Sequence, residues 1–100
     1  MAAKFLQRLG FAQKAGAISS GTDTVRKNIK NGKAKLVIGA ADLSERLWKD
    51  VEASCKFNSI LYVRAGSKLE LGNAIGKSPR GLIAVMDIQF AHQLIKSLDQ

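Results

Sequence analysis

One cysteine, one histidine and one proline in 100 residues leave little material for several kinds of chemistry. Cys55 alone excludes an internal disulfide and a cysteine-rich zinc cluster, a usage compatible with a reducing cytosol, so a cytoplasmic chain is expected. His92, the only histidine, lies on the last helix while the only cysteine sits on an apolar stripe of another, so no metal-ligand cluster and no nucleophile–base pair presents itself. No apolar run approaches the ~20 residues of a membrane span, which predicts a soluble chain without membrane contact. Only four Phe, one Trp and one Tyr are available for base stacking, which argues against an unstructured single strand as ligand. Gly/Ser-rich, Pro-rich and Gln/Asn-rich tracts are missing, as is any internal repeat, so one domain spanning 1–100 is expected, with no linker.

Acids are scarce in one place above all. The first 35 residues hold the bases Lys4, Arg8, Lys14, Arg26, Lys27, Lys30, Lys33 and Lys35 against the single acid Asp23, so nearly all of the net charge of +8 lies there. An excess confined to one end points to a polyanionic partner. The densest stretch, Gly21 to Lys35, opens with a glycine and continues almost without an acid. A helix that is merely solvated usually mixes signs for i,i+4 pairing, as the segment 44–56 does with Glu45/Lys49 and Glu52/Lys56.

Apolar periodicity outlines the rest. Phe5, Leu6, Leu9 and Ala12 predict a first helix near 2–15, ended by Gly16; this reading outweighs an organelle transit peptide, which the basic, acid-poor start superficially resembles. A short strand at 17–20 leads to a second helix after Gly21, on which Val25 and Ile29 sit about 40° apart while Arg26, Lys27 and Lys30 turn away from them. Residues 35–40 form a buried strand, and Asp42-Leu43-Ser44 offers N-cap chemistry to a helix bearing Leu47, Trp48, Val51 and Cys55 on one stripe. A strand at 60–63 follows. Ser67-Lys68-Leu69-Glu70 matches a capping box opening a short helix that stops at Gly76. The loop 77–80, a buried strand at 81–86 and a helix capped by Asp87 and carrying Phe90, Ala91, Leu94, Ile95 and Leu98 complete the chain. Strands apolar on both faces need helices on both sides, so a three-layer α/β/α sandwich around roughly four strands is expected.

Three candidate chemistries fall away on the same residues. Cys55 lies on an apolar stripe and reads as core filling; His92 reads as a helix-face residue. The segment Gly72 to Gly76 superficially resembles a phosphate loop but lacks the third glycine and the strand-then-helix setting. Asp42 after a buried strand superficially resembles a phosphoacceptor, yet no acidic pair from a neighbouring strand end is there to hold magnesium, and its cap role is favoured.

Gly21-Thr22-Asp23-Thr24-Val25-Arg26-Lys27, the strand 34–38 running into Ala40-Ala41-Asp42, and Leu71-Gly72-Asn73-Ala74-Ile75-Gly76-Lys77 resemble, in this order, the archaeal ribosomal proteins of the seven-Ae class that bind RNA kink-turns, and their small bacterial relatives. The resemblance covers nearly the whole chain. It implies the α/β/α fold of the thirty-e-like ribosomal proteins, a non-catalytic function, no cofactor, and structured RNA as partner, with ribosomal RNA among the candidates, bound by a monomer. The family helix start has the form glycine-any-asparagine-glutamate-any-any-lysine and enters the groove at tandem sheared G·A pairs. Carried onto this chain, Gly21 would allow backbone to approach RNA, Thr22, Asp23 and Thr24 would line the G·A step, and Lys27 would donate to guanine. Arg26, Lys30, Lys33 and Lys14 would meet phosphates, and Lys77, Ser78 and Arg80 would belong to a loop covering a flipped-out nucleotide.

Two departures stand out. Asp23 and Thr24 replace an amide and a glutamate, so Asp23 either accepts from base amino groups or complements the helix dipole. The loop 77–81 is polar where an apolar lid is the family pattern. The rival reading is a protein-interaction adaptor with incidental RNA affinity, using the apolar strand end at Gly39 to Ala41 or the mixed-charge helix 44–56.

Overall fold

The structure, a computed structural model, describes residues 3–98. Five helices and four strands alternate: α1 Ala3–Lys14, β1 Ile18–Ser20, α2 Thr22–Lys30, β2 Leu36–Gly39, α3 Glu45–Phe57, β3 Leu61–Arg64, α4 Lys68–Ala74, β4 Leu82–Val85 and α5 Ile88–Leu98. The expected elements are all present, with ends shifted by one or two residues. Position 2, expected in α1, lies outside the described residues.

The sheet order is β1-β4-β2-β3. β4 runs antiparallel to both its neighbours, pairing Ile83 with Ser20 and with Ile38, whereas β2 and β3 are parallel, with Val37 opposite Tyr62. The two central strands are buried at every residue; the edge strands β1 and β3 are mostly half-buried. Helices α2 and α3 pack together on one face, and α1 packs with α4 and α5 on the other. Val25, Ile29, Trp48, Val51 and Cys55 fill the first interlayer and Phe5, Leu9, Leu71 and Leu94 the second. The three-layer α/β/α sandwich follows from strands whose two faces both need cover.

Local devices hold the ends. Ser44 Oγ caps α3 by accepting from Leu47 N, Ser67 and Glu70 form the capping box of α4, and Asp87 Oδ1 accepts from Gln89 and Phe90 N–H groups. Asp42 differs from its expected role. Its Oδ1 accepts from Lys68 N at 2.9 Å, so it caps α4 across the fold and leaves α3 to Ser44. Glu45 likewise pairs with Arg64 at 2.6 Å instead of with Lys49, because β3 brings a guanidinium within reach of the start of α3.

Candidate nucleic-acid interface

Because β4 opposes its neighbours, the ends of β1, β2 and β3 and the start of β4 share one edge of the sheet. Gly21 N donates to Leu82 O at 3.1 Å, Ala40 N to Gly81 O at 2.9 Å, Ala41 N to Gly66 O at 2.7 Å and Arg80 N to Lys68 O at 3.0 Å. Four loops distant in sequence are thereby stitched into one surface.

Gly21 opens α2 at φ +98°, with no side chain capping the helix. The first intrahelical bond runs from Val25 N to Gly21 O, so the N–H groups of Thr22, Asp23 and Thr24 have no acceptor within the helix. A Cβ at Gly21 would meet nothing within 4 Å, which leaves its backbone open to approach. Asp23 and Thr24 are exposed, whereas Val25 and Ile29 anchor the opposite face in the core. Along the outer face runs an open groove of about 590 Å³ lined by Asp23, Arg26, Lys27, Lys30 and Asn31. Lys27 and Lys30 are exposed in it. Arg26 leans toward α3, 3.7 Å from Asp50, in a solvent-exposed pair that contributes little to stability and leaves the arginine free to exchange partners.

The loop 77–81 stands beside Gly21. Arg80 is its brace: Nε donates to Ser20 Oγ at 3.2 Å, and Nη1 donates to Ser78 Oγ at 2.6 Å and to the Ser78 and Pro79 carbonyls. Lys77, Ser78 and Pro79 remain exposed. Beneath the loop, Gly72 of α4 lies so close to the Ser78 carbonyl that any Cβ would collide with it. The glycines of 72–76 thus serve packing and helix exit, the latter at Gly76 with φ +70°.

Of the residues singled out in the sequence, Gly21, Thr22, Asp23, Thr24, Ser78 and Arg80 are gathered at this edge, with Lys77 in the adjoining loop and Lys27 farther along the outer face of α2, in its last turn. Lys30 lies at the far end of α2, ~12 Å along the helix from Thr22. Lys14 and Lys33 belong to the opposite edge, where Lys35 N bonds Val85 O and Met86 N bonds Ala17 O. The strand end proposed for the adaptor reading is largely covered: Gly39 and Ala40 are buried, with the Trp48 ring 2.5 Å from where a Gly39 Cβ would stand.

Two supporting residues carried no sequence signal. Arg64 donates to the carbonyls of Ala40, Ala41 and Leu43 and to Glu45, and its guanidinium lies 5.4 Å from the Trp48 ring centre, so it fixes the loop 40–44. Arg64 lowers the Glu45 pKa through this hydrogen bond first and its charge second. Lys68 joins Asp42 to Arg80 through its backbone, and its stem passes beside Gly81. Cys55 is buried in the core as expected, its thiol pushed up to about 11 by desolvation and then by Glu52. His92 is exposed on α5.

A small α/β/α domain with a glycine-opened basic helix beside a braced loop defines a class. The chain matches the Ribosomal protein L7Ae/L30e/S12e/Gadd45 family over residues 3–95 and belongs to it. It is 41% identical to RNA-binding protein YlxQ of Bacillus subtilis strain 168, over 91% of each chain. A solved structure of a Bacillus halodurans protein of unknown function superposes with a TM-score of 0.94 at 34% identity, covering 98% of this chain and 99% of that one. The Giardia lamblia 15.5kD RNA binding protein superposes at 0.80 with 26% identity, covering 94% and 81%.

Proposed function

We propose that this protein is a non-catalytic RNA-binding domain that recognises a kink-turn, or a related bent internal loop, and stabilises the bent conformer by binding it in preference to the straight one. The observation that carries the reading is the juxtaposition at one sheet edge of the uncapped α2 start at Gly21 and the Arg80-braced loop, with the exposed Lys27 between one and two turns farther along the same helix. Free N–H groups at a helix start attract phosphate, and an ammonium in a widened major groove finds guanine acceptors. Structured RNA, ribosomal RNA among the candidates, is the partner. The names of the Bacillus subtilis and Giardia relatives support RNA as the ligand class.

Lys27 supplies the test. Lys27→Ala should weaken binding to kinked RNA by about 1–3 kcal/mol and relax discrimination against RNA whose tandem G·A pairs are disrupted. Equal loss on both RNAs would reduce Lys27 to a phosphate contact and remove the base-reading role.

A further inference from the structure

The lysines of the opposite sheet edge form a surface of their own. Lys35 N donates to Val85 O at 2.7 Å and Met86 N to Ala17 O at 2.8 Å, so the starts of β1 and β2 flank the end of β4 there. Lys14, just before Ala17, therefore stands on the same edge as Lys35, across two strand spacings of ~5 Å each. Lys33 sits in the turn between them and α2, its N–H held by Asn28 O at 3.1 Å and Asn31 Oδ1 at 3.0 Å. All three side chains are exposed, and among the described residues none takes part in an ion pair. Asp87, the acid that follows β4, has its Oδ1 engaged by two N–H groups of α5.

Helix electrostatics explains part of this charge but not its core. Lys14 and Lys30 close their helices, where a cation complements the dipole. Lys33 and Lys35 lie past the last turn of α2. Lys35 Nζ rests 3.4 Å from Gly32 O, a long bond to a neutral acceptor that leaves the charge uncompensated. Between this edge and Gly21, Arg26, Lys27 and Lys30 line the groove on the outer face of α2, with Asp23 at its Gly21 end and Asn31 at the other, so the lysines of the helix lie on the path from one sheet edge to the other.

The geometry points to Lys33 and Lys35, assisted by Lys14, as a second and sequence-independent contact that holds the phosphate backbone of the RNA stem leaving the bend. This rests on the function proposed above. The mouth at Gly21 selects shape, and the far edge adds affinity in proportion to the length of duplex reaching it.

Dissociation constants measured between roughly 50 and 200 mM salt test this, with a kinked RNA carrying a long stem, the same RNA trimmed to the bend, and a straight duplex. Lys33→Ala/Lys35→Ala should lower the salt slope on the long-stem RNA by about two and weaken binding ~10-fold at the low-salt end. It should leave the trimmed RNA unaffected, and Lys33→Arg/Lys35→Arg should match the wild type. An unchanged slope, the result expected if the edge serves an acidic protein instead, would overturn the inference, as would equal loss on the trimmed RNA. Failure of the kink reading is seen separately, as equal wild-type affinity for kinked and straight RNA; a slope difference between wild type and the alanine pair on the straight duplex would still support the second contact.

Discussion

Asp42 and Lys68, 26 residues apart, are joined by a 2.9 Å hydrogen bond from the Lys68 N–H to Asp42 Oδ1. The bond ties the loop after β2 to the start of α4, and Lys68 O in turn accepts from Arg80 N. Asp42→Ala removes a helix cap and should cost about 1 kcal/mol in denaturant unfolding. Asp42→Asn keeps an acceptor and should recover most of that. Equal losses in the two variants would mean that charge, not the cap, is what matters.

Gly72 sets the position of the loop beside Gly21. In Gly72→Ala the new Cβ would stand 2.7 Å from Ser78 C and 2.8 Å from Pro79 Cα, both backbone atoms that cannot turn aside. The variant should lose about 1–3 kcal/mol of stability, the usual range for overpacking, and should bind kinked RNA less well because Arg80 is carried away from Ser20. Retained stability and affinity would show that the loop tolerates displacement.

Burial of the Cys55 thiol has a consequence in alkaline solution. Its pKa rises from 9.0 to about 11 on folding, so the unfolded chain releases that proton first and ionisation favours unfolding. The contribution is intact below pH 9 and is lost as pH rises from about 9 toward 11, by no more than about 3 kcal/mol. Cys55→Ala should show a flatter decline of unfolding free energy over that window than the wild type. Parallel declines would assign the pH dependence to other groups.

Much of this fold is legible in the sequence because its signals are local. The apolar runs at 36–39 and 82–85, the capping box at Ser67 and the amphipathic stripe of α3 each specify an element within a few residues. Strand order is not local: nothing in the chain order says that β4 inserts between β1 and β2, and that insertion decides which loops meet. For this reason Gly21 and the loop 77–81 could be named separately, whereas their contact through Ser20 and Arg80 could not be read. The same topology sends Lys14 and Lys33 to the edge opposite Gly21, although charge counting along the first 35 residues places them in one group. Arg64 escaped notice because its partners are mostly backbone carbonyls, which have no residue signature.

The central claim, that this edge of the sheet reads the shape of RNA, is tested most directly by wild-type protein titrated in ~150 mM salt against a kinked RNA and a straight duplex of equal length, conditions that suppress nonspecific phosphate binding. The account predicts that affinity for the kinked RNA persists while the duplex is released. Equal affinity for the two, or binding to neither, would contradict it.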